Sequence, residues 1–422
     1  MELQRIANDA NKIRMVIHKQ VENRRSRMLD KIRESAEKIQ EELVSVRREL
    51  HKHPELGFDL SKTKALLKKK LIEYGYEPKD CGQSGIVVLV GKPTGKTFLI
   101  RGDMDALPMP EFADIPYKSE EENKMHSCGH DLHATMLLGA AKVLKEYEDE
   151  LEGQVKILFQ PAEEILSGAM DCIQDGLLEN PKVDAGMMLH VFPAPGMPTG
   201  TIITTQPGVV QASADWFEVN IRGKGGHGAM PETAIDPINV AVHIYTALQA
   251  ITAREVGSEE RFVLTIGEFI GGSVGSSNVI PGEAYFKGTL RALNEEVRSF
   301  VKERIVSIAQ NIAKAFRAEV EVVFTNGCCA NTVDENVFEF SKEAAIQMHG
   351  ADKVLKCPYK LPLMSSEDFG EIGMRIPATV MYVAAGESPY PVHNSKVVFD
   401  EAALKEGVKT YAYTAYKWLQ NK

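Results

Sequence analysis

The stretch MHSCGHDLHATM, residues 125–136, crowds one cysteine, three histidines and an aspartate into a few positions. Thiolate, imidazole and carboxylate are the side chains that hold transition metals in proteins. Cys128 and His130 lie two residues apart, so in an extended segment their side chains would share one side. The C-x-H spacing is not the paired C-x2-C of a structural zinc site, so any metal needs ligands from elsewhere. Taken alone, a buried structural cysteine beside a hydrogen-bonded histidine fits the stretch equally well.

Four further segments end a predicted strand with ionisable side chains. In open α/β sheets, catalytic groups gather at the carboxyl ends of the strands. A solvated loop charge is the simpler interpretation of any one segment, but five such segments together favour a common site. His126 and His133, which flank the CGHD core, are explained by packing or helix capping. The four segments are RGDMDALP with Asp103 and Asp105, FQPAEE with Glu163 and Glu164, MMLHVFPA with His190, and SPYPVHN with His393.

Two glycine-rich stretches imitate other catalytic motifs. LVGKPTGKT does not have the P-loop spacing, because three residues separate Gly91 from Gly95 instead of four, and a strand follows. We predict a hairpin turn there. GGSVG, residues 271–275, fits the G-x-S-x-G elbow of serine hydrolases, but a loop and a strand follow it instead of a helix. A glycine-rich loop between two strands is the better interpretation, which leaves Ser273 without a catalytic role.

The elements that must position these residues alternate between strands and helices. RESAEKIQEELVSVRRELHKHPE is predicted to be an amphipathic helix that ends before Pro54. Apolar strands such as GIVVLVG and DAGMMLHVFPA alternate with helices such as ATMLLGAAKVLKEY. This pattern predicts an α/β domain with a mostly parallel central sheet, beginning with residues 31–211. Residues 1–30 are predicted to form an N-terminal helical extension.

The rhythm of the elements changes after residue 211. A strand, a helix, two strands, a long helix and a last strand follow, which is the βαββαβ order of a ferredoxin-like domain. We therefore predict an inserted lid or dimerisation domain at residues 212–328. Residues 329–422 return to α/β character and are predicted to complete the catalytic domain.

Composition argues against several classes of function. The 422 residues carry a formal net charge of −10, which argues against nucleic acid or an anionic membrane as a partner. No apolar run approaches the roughly 20 residues that span a bilayer. The N-terminal residues have no apolar core of the kind found in secretory signals. The six cysteines show no framework spacing, so the sequence predicts a reduced, cytosolic protein.

Seven motifs together carry a resemblance to a known family. In their order and wording they resemble the metal-dependent amidohydrolases that include hippurate hydrolase, N-acyl-amino-acid amidohydrolases and plant auxin-conjugate hydrolases. The resemblance covers residues 31–422 and implies a two-domain metallopeptidase-like fold, two divalent metal ions, and hydrolysis of N-acyl amino acids. Mixed sulfur, nitrogen and oxygen ligands suit zinc, manganese, cobalt or nickel. The motifs are RRELHKHPELGF, RGDMDALP, HSCGHDLH, FQPAEE, GKGGHGAMP, NVIPGEAYFKGTLR and SEDFG.

The resemblance also implies roles for individual residues. Glu163 would be the general base, and Asp105 would support the metal site. In related metallopeptidases a histidine stands at the position of Asp103, so the thiolate of Cys128 would complete a binuclear site that lacks that histidine. Two neighbouring glutamates can both face the site only from a loop, since neighbours in a strand point to opposite sides. The implied metal ligands are Cys128, His130, Glu164, His190 and His393.

Three residues of the predicted lid are implied to bind the small-molecule substrate. His227 and Asn278 would polarise its carbonyl as oxyanion donors, in cis or across the interface of a homodimer. Arg291 would bind its carboxylate. From the residues alone, a turn histidine, a capping asparagine and a surface arginine are the simpler interpretations. Two rival functions remain: a dipeptidase or carboxypeptidase of the same fold, and a catalytically silent binding protein, which the filled ligand positions disfavour.

Overall fold

The computed structural model describes residues 26–420. Most of the predicted N-terminal extension lies outside the described residues, and residues 26–38 are helical. A second helix follows at Gln40–Lys52, so the predicted amphipathic helix is interrupted at Ile39 and ends before Pro54. None of the described helices is both long and apolar enough to span a membrane.

The described residues form ten α-helices and sixteen strands. The helices are α1 (26–38), α2 (Gln40–Lys52), α3 (Ser61–Glu73), α4 (His130–Glu146), α5 (Gly168–Gln174), α6 (Pro237–Ala250), α7 (Glu295–Ala315), α8 (Glu335–His349), α9 (Gly370–Gly373) and α10 (Ala403–Leu419). The strands are β1 (Lys79–Cys81), β2 (Gly85–Gly91), β3 (Thr97–Asp103), β4 (Gln154–Gln160), β5 (Ala185–Phe192), β6 (Ile202–Thr204), β7 (Gly208–Gln211), β8 (Ser213–Arg222), β9 (Gly226–His227), β10 (Phe262–Gly271), β11 (Val279–Ile280), β12 (Glu283–Ala292), β13 (Glu319–Cys328), β14 (Asn331–Val333), β15 (Val354–Lys356) and β16 (Ala378–Ala384).

Eight strands form the central sheet, in the order β1-β2-β4-β3-β5-β16-β6-β15. The pairs β4–β3, β3–β5, β5–β16 and β6–β15 are parallel. The other three pairs are antiparallel. The α/β architecture with a mostly parallel central sheet, predicted from the sequence, is confirmed.

Helices cover both faces of the central sheet. The larger apolar core lies against α2, α3, α4, α8 and α10, and a smaller core on the other face includes residues of α5 and α9. Every residue of β3 and of β16 is buried. Burial on both faces explains why the central strands read as continuous apolar runs and not as alternating ones.

The turn at LVGKPTGKT does not belong to a hairpin, so that prediction is wrong. β2 and β3 do not pair, because β4 lies between them, antiparallel to β2 and parallel to β3. A short connection between successive strands usually means that they pair. Here the space between them is filled by a strand that follows only after α4, and nothing in the local sequence announces it.

A second, antiparallel sheet has the order β10-β12-β8-β13, and its apolar core includes residues of α6 and α7. Its elements follow the chain as β8-α6-β10-β12-α7-β13, interrupted by the two-residue strands β9 and β11. Because β8 and β13 are neighbours, the chain enters and leaves this part, residues 213–328, side by side. We call it the inserted unit. Its role as a lid or dimerisation domain stays a prediction. GGSVG begins at the last residue of β10 and continues into the loop that was expected.

Candidate metal centre and active site

The carboxyl ends of three neighbouring parallel strands meet at one edge of the central sheet. β3 ends at Asp103 and β4 ends at Gln160, while His190 lies near the end of β5. The segments that leave β3 and β4 carry Asp105 and the pair Glu163–Glu164. The sheet therefore brings together side chains that are far apart in the sequence, at the edge where α/β proteins place their sites.

The CGHD stretch enters α4 through a tight turn at Gly129. This glycine has a φ of +89°, a left-handed conformation that glycine adopts readily. A Cβ atom added to it would lie 2.5 Å from the side chain of Val191 in β5. Glycine is therefore needed both for the conformation and for the close approach. The turn places Cys128 just before α4 and His130 at its first residue, and both are buried.

The five predicted metal ligands lie together. Sγ of Cys128 lies 3.5 Å from Nε2 of His190. Oε1 of Glu164 lies 3.5 Å from Nε2 of His393 and 3.7 Å from Nε2 of His130. These atoms belong to overlapping groups of three possible metal donors, each group spanning no more than 4.8 Å. Donors shared between groups are what two closely spaced ions require.

Several of these atoms lack a partner that an ion would supply. Both ring nitrogens of His130 and Oε1 of Glu164 are buried without a hydrogen bond to any described residue, although buried polar atoms normally have one. Burial lowers the pKa of His190 well below its usual range, so its imidazole is neutral and able to bind a metal. Burial raises the pKa of the Cys128 thiol, so ion binding would displace its proton. The residues present fit two divalent ions.

The two glutamates lie in a turn and not in the strand, as predicted. β4 ends at Gln160, and Ala162 and Leu166 both have left-handed φ values, of 54° and 52°. The turn is closed by the backbone, since the N–H of Leu166 donates to the carbonyl of Glu163 at 2.7 Å. Freed from strand geometry, Glu163 and Glu164 both line the same cleft.

Asp105 orients this turn. One of its carboxylate oxygens accepts the backbone N–H of Glu163 at 3.0 Å, and the other accepts that of Glu164 at 3.2 Å. The first of these oxygens also lies 3.5 Å from Nδ1 of His130. Asp105 thus contacts both the glutamate turn and a candidate ligand. It has the contacts expected of a residue that holds metal ligands in place.

Asp103 is engaged by two residues that sequence reasoning did not assign to the site. Its Oδ1 lies 2.5 Å from Nδ1 of His133, and its Oδ2 accepts a hydrogen bond from Arg101. Nε2 of His133 accepts the N–H of Val191 at 2.8 Å, which ties α4 to β5. Burial alone would raise the pKa of Asp103, but its interactions with His130 and Arg101 and the hydrogen bond with His133 outweigh burial and hold the pKa well below its usual range.

Two further buried acids, Glu367 and Asp368 of the SEDFG motif, were also missed as site residues. Arg101 donates to Glu367 at 2.9 Å and to Asp368 at 2.8 Å. One oxygen of each acid lies within 4.8 Å of an oxygen of Glu163. Burial raises the pKa of Glu163 well above its usual range, and the charges of Glu367 and Glu164 raise it further. The only sequence signal for these acids was the motif itself.

A cleft of about 570 Å³ opens beside the candidate ligands, and Arg291 of the inserted unit lines it. Its guanidinium donates to the hydroxyl of Thr289 and, at 3.2 Å, to the carbonyl of Leu290. Among the described residues, no carboxylate lies within ion-pair distance of it. Burial lowers the pKa of Arg291, but an arginine stays charged at neutral pH. The cleft therefore holds a cation that is free to bind an acid.

Aromatic side chains form one wall of the cleft. The ring of Phe192 lies 5.4 Å from that of Tyr382 and 6.1 Å from that of Tyr359, measured between centroids. Trp216 of β8 also lines the cleft, together with Leu363 and other apolar residues. Such a wall suits an apolar or ring-bearing group, because aromatic faces and edges contact one another favourably.

His227 and Asn278 do not reach this cleft within one chain. They are near neighbours, because His227 in β9 pairs with Val279 in β11, the residue after Asn278. The side chains of His227 and Asn278 are both exposed. Nδ1 of His227 accepts the backbone N–H of Ala229 at 3.1 Å. Neither residue lines the cleft. Four of the five candidate ligands, Glu163 and Arg291 thus line one cleft, and His130 lies 3.7 Å from the ligand Glu164. His227 and Asn278 lie apart from it.

The chain is similar to known hydrolases over most of its length. Hippurate hydrolase of Campylobacter jejuni is 37% identical over 387 residues, 90% of this chain and 98% of that protein. N-acetyl-L-cysteine deacetylase of Bacillus subtilis is 35% identical over 368 residues, 87% of this chain and 85% of that protein. The structure of Bacillus subtilis YXEP protein, a dinuclear metal binding peptidase from the M20 family, superposes with a TM-score of 0.73 at 30% identity and covers 92% of this chain and 100% of that one.

A family model agrees with these similarities. The model of peptidase family M20/M25/M40 matches residues 99–417, which is most of the chain. The matched range contains all five candidate metal ligands, from Cys128 to His393. The YXEP protein, to which this chain is similar in structure, is a dinuclear metal binding peptidase. The chain belongs to peptidase family M20/M25/M40 and is a hydrolase that acts on amide bonds.

Proposed function

We propose that this protein hydrolyses N-acyl amino acids to a carboxylic acid and a free amino acid, with two divalent ions held by the five clustered ligands. The observation that carries the proposal is one cleft with three components: a set of unpaired metal donors, an acid beside them, and a cation for the substrate carboxylate. An amide substrate with a neighbouring carboxylate is the small molecule that uses all three. Zinc, manganese, cobalt and nickel are the candidate ions.

Bound divalent ions would supply Lewis-acid polarisation of the scissile carbonyl and would lower the pKa of water. Glu163 is the group of this chain that moves the proton. Its Oε2 lies 3.9 Å from Nε2 of His130, so it faces the candidate metal centre. It would take a proton from the attacking water and deliver it to the leaving amine. Asp105 holds Glu163 in place through its backbone N–H.

Arg291 would bind the carboxylate of the amino acid part. Guanidinium and carboxylate match in charge and in paired hydrogen-bond geometry, and this guanidinium makes no ion pair with the described residues. The acyl part would then lie against the wall formed by Phe192, Tyr359 and Tyr382. By their names, hippurate hydrolase acts on a benzoyl compound and N-acetyl-L-cysteine deacetylase acts on an acetyl compound. The size and apolar lining of the cleft lead us to propose the larger kind of acyl group for this chain.

The inserted unit would complete the site across a homodimer. His227 and Asn278 are exposed, adjacent and outside the cleft of their own chain. We propose that they enter the cleft of a partner subunit and there donate hydrogen bonds to the substrate carbonyl. We also propose a cytosolic location, since all six cysteines are free and half-buried or buried.

The experiment that tests the proposal is a substrate panel on the metal-loaded protein. N-benzoyl, indole-3-acetyl, cyclohexanecarbonyl and N-acetyl derivatives of one amino acid are compared with dipeptides that carry a free α-amine. We expect hydrolysis of the N-acyl compounds, faster for the ring-bearing ones. Because the YXEP protein is called a peptidase, the rival function is a dipeptidase. Preference for free dipeptides would establish that rival and overturn the proposal.

A matched pair of amides tests the role of Arg291. N-benzoylglycine and its C-terminal amide differ only in the carboxylate. The protein should prefer the acid, and Arg291→Gln should raise KM for the acid but not for the amide. An equal KM for both compounds in the unaltered protein would remove Arg291 from substrate binding.

A further inference from the structure

The turn that carries Glu163–Glu164 is held by two carboxylates of the catalytic part. Asp105 accepts both glutamate N–H groups, as described above. Asp368 accepts the N–H of Ala169, at the start of α5, at 2.9 Å. These two contacts fix the beginning of the turn and the helix that follows it. The middle of the turn, residues 165–167, has backbone hydrogen bonds of its own and is also contacted by a different part of the molecule.

Asn326 of the inserted unit holds the middle of the turn. Its Nδ2 donates to the carbonyl of Ile165 at 2.6 Å, and it lies 3.2 Å from the hydroxyl of Ser167. The same hydroxyl donates to the carbonyl of Ile165 at 3.0 Å. This small network joins the inserted unit, which has its own sheet, to the catalytic part, which contains the central sheet. It lies one residue beyond a candidate metal ligand, Glu164.

A bulge in β13 accompanies this contact. The pairing with β8 shifts between Phe324 and Asn326, so Thr325 has no partner in the ladder. A bulge changes the direction of the side chains that follow it, and bulges are common next to active sites. Without the extra residue, the side chains beyond it would change faces of the sheet. The bulge therefore allows the side chain of Asn326 to contact Ile165.

An apolar contact reinforces the polar one. Trp216 faces Asn326 across the β8–β13 ladder, and it packs against a small apolar cluster of Leu166, Ala214 and Cys328, the first of which belongs to the glutamate turn. Leu166 has a left-handed φ of 52°, which a leucine adopts only when its surroundings hold it. Asn326, which donates to Ile165, and Trp216, which packs against the cluster that contains Leu166, both belong to the inserted unit. The turn is thus shaped partly by a unit outside the catalytic part.

We propose that Asn326 is a positioning residue that couples the inserted unit to the two glutamates. Its hydrogen bond to Ile165 keeps Glu163 and Glu164 in their working orientation only while the inserted unit is docked against the turn. The inference rests on the proposed function, because it assigns a consequence for proton transfer and ion binding. It adds a link between the unit that carries Arg291 and the turn that carries the general base. Substrate held by Arg291 would favour the docked arrangement.

The test compares Asn326→Ala, which removes the donor, with Asn326→Asp, which places two acceptors opposite each other. Hydrogen–deuterium exchange of the peptide covering residues 161–169 is measured first, since it needs neither ions nor substrate. We expect exchange in this turn to quicken about tenfold in Asn326→Ala, which corresponds to the loss of one hydrogen bond, and more in Asn326→Asp. Exchange in α10 should not change.

Kinetic measurements distinguish a role of Asn326 in positioning the glutamates from a role in stability alone. On the metal-loaded protein, kcat for an N-acyl amino acid should fall about tenfold in Asn326→Ala and further in Asn326→Asp, while KM changes less than about twofold because Arg291 is untouched. The affinity for Zn²⁺, measured by chelator competition, should fall in the same order. Asn311→Ala is the matched control, because Asn311 lies in α7, is exposed, and donates only within its own helix.

The outcomes are distinct. Equal exchange of residues 161–169 in the Asn326 and Asn311 variants overturns the proposal, whether or not the protein hydrolyses N-acyl amino acids. A lower melting temperature of Asn326→Ala with exchange raised throughout the chain also overturns it, because the residue would then be structural. Faster exchange confined to the turn supports the coupling even if the substrate panel were to contradict the proposed function.

Discussion

Nδ1 of His133 lies 2.5 Å from Oδ1 of Asp103, and this contact bears on the presence of a cysteine at the candidate metal centre. The second oxygen of Asp103 is bound by Arg101, so both of its oxygens are occupied by the chain itself. Asp103 therefore anchors α4 to β3 through contacts made by both of its oxygens. Cys128, one residue before the cap of the same helix, is the soft donor nearest to His190.

Replacing Cys128 by serine should weaken the metal centre. Serine keeps the size of the side chain but replaces an ionisable thiol by a hydroxyl that stays neutral near pH 7. We expect Cys128→Ser to bind Zn²⁺ at least about tenfold more weakly and to lose most of its activity. The measurement is chelator competition, together with alkylation of Cys128 with and without metal. Cys172→Ser, in a buried cysteine outside the site, is the control. Unchanged affinity in Cys128→Ser would leave this cysteine a packing residue.

The two neighbouring glutamates should respond differently to substitution. Glu163→Gln keeps its shape but cannot carry a proton, so kcat should fall by orders of magnitude while the metal content is retained. Glu164→Ala removes a candidate ligand, so metal should be lost together with activity. Metal content by elemental analysis and turnover on one substrate decide the matter. If both variants keep metal and near-native turnover, the assigned roles are wrong.

Removal of metal should abolish activity reversibly. A chelator leaves the donors of His130 and Glu164 without a partner, and added divalent metal restores the ligand set. Thermal stability should fall as well, because an ion that binds only the folded state stabilises it. Dialysis against chelator, followed by titration with each of the four candidate ions, measures both effects. Full turnover in protein shown by elemental analysis to be metal-free would contradict the metal centre.

His227 should act from the partner subunit. If it donates to the oxyanion, His227→Ala should reduce kcat by roughly 10²–10³ without loss of metal or of folding. Two inactive variants, His227→Ala and Glu163→Gln, are dissociated, mixed and reassociated. About a quarter of wild-type turnover is expected, because about half of the dimers are mixed and each has one complete site.

The contrary result of the mixing experiment is equally specific. No recovery, with mixed dimers verified by mass spectrometry, would place His227 in its own cleft or outside the mechanism. A variant of another exposed histidine of the inserted unit, His243→Ala, controls for nonspecific effects, since His243 has a hydrogen bond within α6 and a ring contact with Phe316, and does not line the cleft. It should keep full activity.

The candidate ligands were implied by family motifs in the sequence, some of which lie at strand ends, and their role stays a prediction. The Glu163–Glu164 pair follows the end of β4 and His190 lies near the end of β5, and the sheet brings such positions together, whereas Cys128 and His130 lie at the start of α4. The helix that begins at His130 and the loop placement of the glutamates follow from the same residues. Most of the residues that hold the candidate ligands in place could not be identified in this way.

The supporting contacts join residues that are distant in the chain. Arg101 could be read as a strand residue, but nothing near it shows that Glu367 and Asp368 neutralise it. The false hairpin at Gly91 has the same cause, since the strand that separates β2 from β3 comes later. The bulge that precedes Asn326 is a matter of register between two strands, which residue types alone do not reveal.

The position of β16 has a consequence for how the protein is made. This strand lies between β5 and β6, yet the ribosome delivers it after the whole inserted unit. Until then β5 exposes an unpaired edge, and apolar residues that β16 should cover remain open to other chains. His393 emerges later still. A nascent or truncated chain therefore has neither a finished sheet nor a full set of candidate ligands, and the five ligands are present together only when synthesis is nearly complete.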